Sequence, residues 1–425
     1  MGGPSGLPRL LRGVGDSPAD VDAHVRTWGE QPFRNSRQEL DLIDEAGLCG
    51  RGGAWFPTAR KWRAVAANRG VRRPTVVANA AEGEPASGKD RLLAGFAPHL
   101  VLDGAQLAAH AVGAGRVVVY VHREAAAAVA AAVVEREGRG LDRVRPEVVV
   151  AAPSFVAGEE SAVVAHIDGG PGGLPYFTVP RPVYRKGVSG RPTLVQNAET
   201  LAHAALISRF GPGWFREMGT ESSPGTALLT ISGVIPSRVV EAPVGVSLRS
   251  VLHAVSADAD AVGGVLLGGY GGTWWQGAAS DLRLAEEALR PGGATLGAGV
   301  VLALPAGACP VAETARIAAY METQGAGQCG PCVNGLPALA DAAAALAWDP
   351  RRLQGGPGRL EQLAGLVEGR GACHHPDGVA RLIRSLLLAF PDHVRGHVSR
   401  GPCTTSSAPS VLPPLSAAAP AGAGG

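Results

Sequence analysis

The sequence predicts an α/β protein: a doubly wound, Rossmann-like parallel sheet, then a small β-grasp-like unit and a helical C-terminal region. Three observations carry that expectation. Apolar runs at 74–78, 116–122 and 146–151 are separated by helical stretches at 92–112 and 124–136. Unbroken apolar strands alternating with helices mark a parallel sheet covered on both faces, with right-handed crossovers. Residues 226–243 hold two β-rich runs around a turn at 235–237, a hairpin pattern. Past residue 310 the pattern turns helical, with Leu382, Ile383, Leu386, Leu387 and Phe390 on one face.

In chain order, residues 1–36 are rich in Gly, Pro and Arg with little periodicity, and read as an N-terminal arm. Residues 37–219 make the α/β domain. In the 220–300 domain the hairpin precedes a short helix with Ser247 as N-cap. The run 262–272 carries too many glycines for a helix. The helical domain spans 301–400, with a helix at 337–348. Residues 401–425 are mostly Ser, Pro, Ala and Gly, which predicts a disordered tail.

A chain of 425 residues holds two to four domains. Its net charge of +2 offers no basic footprint for nucleic acid. Only Lys61, Lys89 and Lys186 are lysines among 39 basic residues, so a lysine inside a motif stands out. The N-terminus lacks the apolar core of a signal peptide. The uncharged stretches 261–280 and 291–312 are broken by Gly or Pro. A cytoplasmic chain without direct membrane insertion is expected.

Three polar motifs bear on chemistry. Gly50-Arg-Gly-Gly-Ala-Trp-Phe-Pro-Thr-Ala-Arg-Lys-Trp62 runs a glycine loop into a cationic helix start. Its backbone N–H groups, with Arg51 and Lys61, suit a phosphate; a plain surface turn is the alternative. Asn79-Ala-Ala-Glu-Gly-Glu-Pro-Ala-Ser-Gly-Lys-Asp-Arg91 follows the first strand. Asn79 suits a polar ring edge or ribityl chain, and Glu82 and Glu84 suit ribose hydroxyls; a self-satisfied loop is the alternative. Phe155-Val-Ala-Gly-Glu-Glu-Ser161 follows the third. Its glutamates suit a ligand, or simply an acidic helix start. Three polar loops at strand ends of one sheet outweigh any one of them.

The six cysteines are Cys49, Cys309, Cys329, Cys332, Cys373 and Cys403, too scattered for a disulfide framework. Cys329-Gly-Pro-Cys332 with Cys373 downstream is a close pair plus a distant partner, as around an iron–sulfur cluster. Zinc held with His374 or His375, or buried structural thiols, are the rivals. Cys49, Cys309 and Cys403 read as ordinary thiols.

These motifs, in this order, resemble the NADH- and FMN-binding flavoprotein subunit of respiratory complex I, the 51-kDa subunit. The same module occurs in NAD-linked hydrogenases and formate dehydrogenases. The resemblance spans roughly residues 37–398. The first motif is similar to the family's Gly-Arg-Gly-Gly-Ala-Gly-Phe-Pro-Thr-x-x-Lys-Trp, and Asn79 to Arg91 to its Asn-Ala-Asp-Glu-x-Glu-Pro-x-x-x-Lys-Asp-Arg. Gly158-Glu-Glu-Ser-Ala162 resembles Gly-Glu-Glu-Thr-Ala, and Gly190-Arg-Pro-Thr-Leu-Val-Gln-Asn-Ala-Glu-Thr200 resembles Gly-x-Pro-Thr-x-x-Asn-Asn-Val-Glu-Thr.

The resemblance implies a ubiquitin-like β-grasp (SLBB-like) domain and a C-terminal helical bundle that holds the cluster. It implies FMN at Gly50, Arg51, Gly52, Gly53, Lys61, Asn79, Glu82, Gly158 and Asn197, its phosphate on the loop through Ala54, with Glu159 and Gln196 as further cofactor-binding positions. It implies NADH along Phe56, Glu84 and Glu160. It implies a [4Fe–4S] cluster on Cys329, Cys332 and Cys373. The chain also departs from the family. Ala326 replaces the first cluster cysteine, leaving a [3Fe–4S] centre or a [4Fe–4S] centre with a non-cysteine ligand. Gln324, Gln328, His374, His375 and water are the candidate ligands. Ala81 replaces an aspartate, Gln196 an asparagine, Phe155 a tyrosine and Trp55 a glycine, and the segment 180–184 is shortened. Trp55 is expected to cover the flavin or narrow the nucleotide entrance. The implied function is electron transfer from NADH through FMN and a cluster to a ferredoxin-like or other iron–sulfur protein. A relay without NADH and a non-redox scaffold are the alternatives.

Overall fold

The computed structural model describes residues 5–70, 72–170, 182–275 and 282–413. Four strands, β1 (Thr75–Ala80), β2 (Arg116–Val121), β3 (Pro146–Val150) and β4 (Thr193–Asn197), form a parallel sheet in the order β3-β2-β1-β4. Their side chains alternate between two cores, as a period of two requires. Val76, Ala78, Val117, Val119 and Leu194 lie in one core with the helices Thr58–Ala67, Pro98–Val112, Arg123–Gly138 and Ala198–Arg216. Val77, Val118, Tyr120 and Val195 lie in the other, with Val163 and Val164 of the helix Glu160–Ile167. Burial on both faces is why β1 and β2 read as apolar runs.

The chain steps from β1 outward to β3, then returns to the far side of β1 as β4. Strand order therefore reverses between β1 and β4, and the crevice beyond such a reversal is where these sheets take ligands. The register sets Asn79 beside Asn197 at that edge.

Three local expectations are corrected, the first two here and the third at the C-terminus. The helix at 92–112 is two helices, Lys89–Phe96 and Pro98–Val112, bent by 96°. Pro98 takes the first position of the second helix and drives Ala97 out of helical geometry. The N-terminal arm holds a helix, Val21–Trp28, capped by Asp20, and Leu10 is fully buried. Arg9 fastens the arm: its guanidinium donates to the Trp214 carbonyl at 2.6 Å and pairs with Glu217 at 2.9 Å. Among the described residues no single helix is long and apolar enough to cross a membrane.

A second sheet contains β5 (Thr226–Gly233), β6 (Arg238–Pro243), β7 (Val262–Leu267), β8 (Thr273–Trp275) and β9 (Val300–Pro305), in the order β6-β5-β9-β7-β8. β5 and β9 are parallel, and the other pairs are antiparallel. One face, with Leu229, Ile231, Val265 and Val301, packs with Val251 and Leu252 of the helix Leu248–Ala254. Ser247 caps that helix, accepting from the Ser250 N–H at 3.1 Å. On the other face Leu228 joins the first unit's core, while Leu266, Val300 and Leu302 join the C-terminal helices.

Those helices are Pro310–Thr323, Leu336–Trp348, Pro357–Val367, His375–Ala389 and Pro391–Arg400. Residues 401–413 are not a disordered tail. Leu412 and Ser406 are buried, Arg316 donates to the Ser406 and Ala408 carbonyls, and Trp348 donates to the Ser406 carbonyl. The remainder of the expected tail, 414–425, lies outside the described residues.

Candidate functional site

The glycine loop is pinched at its base. Gly50 N–H donates to the Phe56 carbonyl at 2.8 Å, and Thr58 N–H to the Leu48 carbonyl at 2.9 Å. The open stretch is Gly52 to Ala54, with Gly53 at φ +125°, a conformation that favours glycine. A Cβ on Gly52 would sit 3.1 Å from the Asn197 Cβ, so the loop lies against the end of β4. Arg51 N–H donates to Thr200 Oγ1 at 2.8 Å and fixes it there. The loop leads into the helix Thr58–Ala67, and Asn197 caps the neighbouring helix Ala198–Arg216. An anion at Gly52–Ala54 therefore meets N–H groups and two positive helix ends.

Two expected contacts are corrected here. Arg51 does not face the loop's open side. Its buried guanidinium donates to the carbonyls of Cys49, Pro224 and Thr226, because the second sheet packs directly beneath. Trp55 neither covers the loop nor narrows an entrance. Only 6% exposed, it lies in the second sheet's core, stacks 4.2 Å from the Arg51 guanidinium and donates to the Gly297 carbonyl at 3.1 Å. A backbone turn at φ +51° swings it there. Phe56 is the aromatic left at the surface, 45% exposed.

The loops after β1 and β3 cross. Asn79 Nδ2 donates to the Gly158 carbonyl at 2.9 Å, and its Oδ1 accepts from Ala81 N–H. A Cβ on Gly83 would lie 2.2 Å from the Phe155 carbonyl oxygen, so only glycine allows the crossing. Lys61 pairs with Glu160, linking the glycine-loop helix to the β3 loop. Glu82 does not face open space. It is buried and accepts from Ser87 and from the N–H groups of Asp90 and Arg91. Glu159 is spent on its own helix start, accepting from Ser161 and Ala162 N–H. Glu84 accepts from Ala86 N–H at 3.1 Å and Tyr270 N–H at 2.9 Å, and burial pushes its carboxyl up to about 7. Gln196 is buried and accepts from Trp62 Nε1 at 3.2 Å.

Sequence reasoning missed the group that holds Asn197. Asn197 Nδ2 donates to Asp90 at 2.7 Å, and Lys89 reaches Asp90 at 2.9 Å and Glu199 at 3.0 Å. Burial works against the Lys89 ammonium, but Asp90, Glu199 and Glu82 outweigh it and raise its pKa. Burial also opposes the Glu199 carboxylate, yet Lys89, His203 and Arg51 hold it down to about 2. The signal was present: Lys89 is one of three lysines in the chain.

Cys329, Cys332 and Cys373 come together between the helix Pro310–Thr323 and the helix His375–Ala389. Burial, with Cys329 and Cys373 adjacent, pushes Cys332 up to about 12. Burial likewise raises Cys373, with Glu159 and Cys329 adding. A single π-turn, Pro331–Gly335, carries Cys332 inward. Three neighbouring thiols from two turns are the groups a cluster would use here. Neither histidine joins them: His374 is fully exposed beside Asp377, and His375 meets the Met321 carbonyl at 2.8 Å. His374 is thereby held away from the thiols, while the buried Nδ1 of His375 has no hydrogen-bond partner. Gln324 is committed too, accepting from Phe155 N–H at 3.2 Å. The His375 ring centre lies 5.3 Å from that of Phe155. Thus the β3 loop abuts the thiol site on one side and the Asn79 pocket on the other. Part of the shortened segment 180–184 lies outside the described residues.

Two family descriptions match the chain: the Nuo51 FMN-binding domain over residues 43–205, and the NADH-ubiquinone oxidoreductase-F iron-sulfur binding region over residues 312–397. An NADH-quinone oxidoreductase subunit of Mycobacterium tuberculosis (strain H37Rv) is 31% identical over 88% of this chain and 87% of that protein. The same NADH-quinone oxidoreductase component of Streptomyces coelicolor is 30% identical over 93% and 92%. Among solved structures, a chain of an NAD+-reducing [NiFe]-hydrogenase in the air-oxidized state superposes with a TM-score of 0.79 at 29% identity, covering 92% of this chain and 67% of that one.

Proposed function

This chain belongs to the NADH-quinone oxidoreductase family that carries the Nuo51 FMN-binding domain, and from that premise we propose how its own residues serve electron transfer from NADH through FMN to an iron–sulfur cluster. Bound at the β1/β4 crevice, FMN supplies two-electron chemistry toward NADH and one-electron chemistry toward the cluster. Gly50, Gly52, Gly53 and Ala54 present N–H groups to its phosphate, and Lys61 adds charge. Asn79, Gly158 and Asn197 edge the crevice and orient the ring and its chain. Arg51, Glu82, Glu159 and Gln196 act one step back, as anchors of the backbone that makes those contacts. Phe56, Glu84 and Glu160 line the side that NADH enters. Because Trp55 is buried away from that side, nothing in its placement favours a relay without NADH.

One observation carries the reading. The β3 loop is shared: Gly158 meets Asn79, while Phe155 meets Gln324 and His375, the neighbours of the three thiols. Flavin and cluster would then be separated by a single loop, which shortens the path for electrons and needs no moving part. We read the second sheet, with its two hairpins, central parallel pair and covering helix, as the β-grasp (SLBB-like) domain, and the last helices as the cluster bundle. The acceptor is a ferredoxin-like or other iron–sulfur protein docking near Cys329, and the setting is cytoplasmic. Cofactor content and absorbance of anaerobically purified protein test this. A flavin band bleached by NADH, lost on dialysis of the Lys61→Ala variant, is expected. A flavin band indifferent to NADH, or a colourless protein, overturns it.

A further inference from the structure

We propose that Cys309, His393, His397 and Cys403 form a second metal site, which binds a structural zinc ion. One ligand atom from each lies within 4.8 Å of all the others. Cys309 Sγ is 3.4 Å from His393 Nε2 and 3.5 Å from His397 Nε2. A tetrahedral zinc with ordinary Zn–S and Zn–N bonds sets sulfur and nitrogen about 3.6 Å apart, so the side chains need almost no movement. Two thiolates and two neutral imidazoles cancel the charge of Zn²⁺, which suits a site where Cys309 and His397 are buried. Any proton still held by either thiol leaves to solvent as the ion binds.

The surroundings are those of a metal site. His397 Nδ1 lies 3.0 Å from the Leu346 carbonyl, which takes the ring proton there and leaves the Nε2 lone pair aimed at the sulfurs. Cys403 N–H donates to that same Nε2 at 3.4 Å, consistent with an acceptor nitrogen. His393 and His397 are four apart on the helix Pro391–Arg400, hence on one face. Cys309 caps the helix Pro310–Thr323 and accepts from Ala312 N–H at 3.3 Å, so the helix start favours a thiolate. Cys329 follows the other end of that helix, about 20 Å away by the rise of its 14 residues, so this is not part of the iron–sulfur site. The ion would clip the last helix and residues 401–413 to the rest of the C-terminal helices.

Metal analysis of the full-length holoprotein, purified anaerobically from zinc-supplied cells, tests the site. The expected result is one zinc per chain beside the iron, with a zinc X-ray absorption spectrum of two sulfur and two nitrogen ligands. Cys403→Ser and His393→Gln should each cut zinc retention by about tenfold or more while iron and flavin stay constant. Cys329→Ser should do the reverse. If a variant fails to fold, chelation of the wild-type protein replaces it: zinc loss with iron retained should lower the melting midpoint, and added zinc should restore it. Zinc absent from the holoprotein, zinc lost with Cys329→Ser, or a Cys309–Cys403 disulfide found by mass spectrometry would each overturn the proposal.

Discussion

Trp55 shows how one side chain can reverse its expected meaning. Beside a loop of glycines it reads as an obstruction; in the fold it is a core residue of the neighbouring unit. Trp55→Gly should therefore cost about 3–5 kcal/mol of stability by emptying that core. NADH affinity should not rise, as denaturant melts and titration would show together. Lys89 is the counterpart among charges. Lys89→Met leaves Asp90 and Glu199 buried without their cation, a loss of about 3–5 kcal/mol. It also moves the acid limit. Glu199, held down to about 2, stabilises the fold above its ordinary value of 4.5, and that stabilisation fades as pH falls toward 2. In the variant Glu199 is depressed less, so less stability should be lost between pH 4.5 and 2, which melts across an acid series would record. Neither residue could be read correctly from spacing alone. Their partners, Gly297 for one and Glu199 for the other, lie 242 and 110 positions away.

Among the elements, the turn between the helices Pro310–Thr323 and Leu336–Trp348 decides what cluster can form. Gly325 runs close beneath Cys332: a Cβ there would lie 3.6 Å from its sulfur, so Ala326 sits on the segment that passes the thiols. Only three cysteines approach the site, and Ala326→Cys should supply a fourth thiolate. Electron paramagnetic resonance should show a signal in the oxidised wild type and, in the variant, only after reduction. Identical spectra in the two would refute a three-thiolate centre. The strands β1 and β2 were legible in the sequence because both their faces are buried, and the edge strand β3 because it is still a run of valines. The hairpin β5–β6 was legible because its turn is short. Pro98 announced the break before the helix Pro98–Val112, but the apolar pattern on either side masked it. Residues 401–413 were illegible for another reason. Their composition is that of disorder, and what orders them is Arg316 and Trp348, far away in the chain. Asn79, Gly158 and Asn197 were readable as motifs. The roles of Arg51, Glu82 and Glu159 depend on which way each side chain turns, and a motif does not carry that direction.

At the scale of the whole molecule, Glu84 bridges the first unit to the second through Tyr270 N–H. Its carboxyl is pushed up to about 7 by burial, so folding favours the protonated form. For a carboxyl raised in this way, stability is highest at low pH and declines as pH climbs from the ordinary 4.5 toward 7. Glu84→Gln removes the titration, and its melting midpoint should vary less over that interval than the wild type's. Equal slopes would remove Glu84 from the account. The second sheet stands between both other parts, with Leu228 given to one core and Leu266, Val300 and Leu302 to another. Taken alone, this sheet would expose both faces to water, so the three units pack as one block. The first unit cut free of the others would strand Arg51 and Trp55 without their seats, so it should not fold stably by itself.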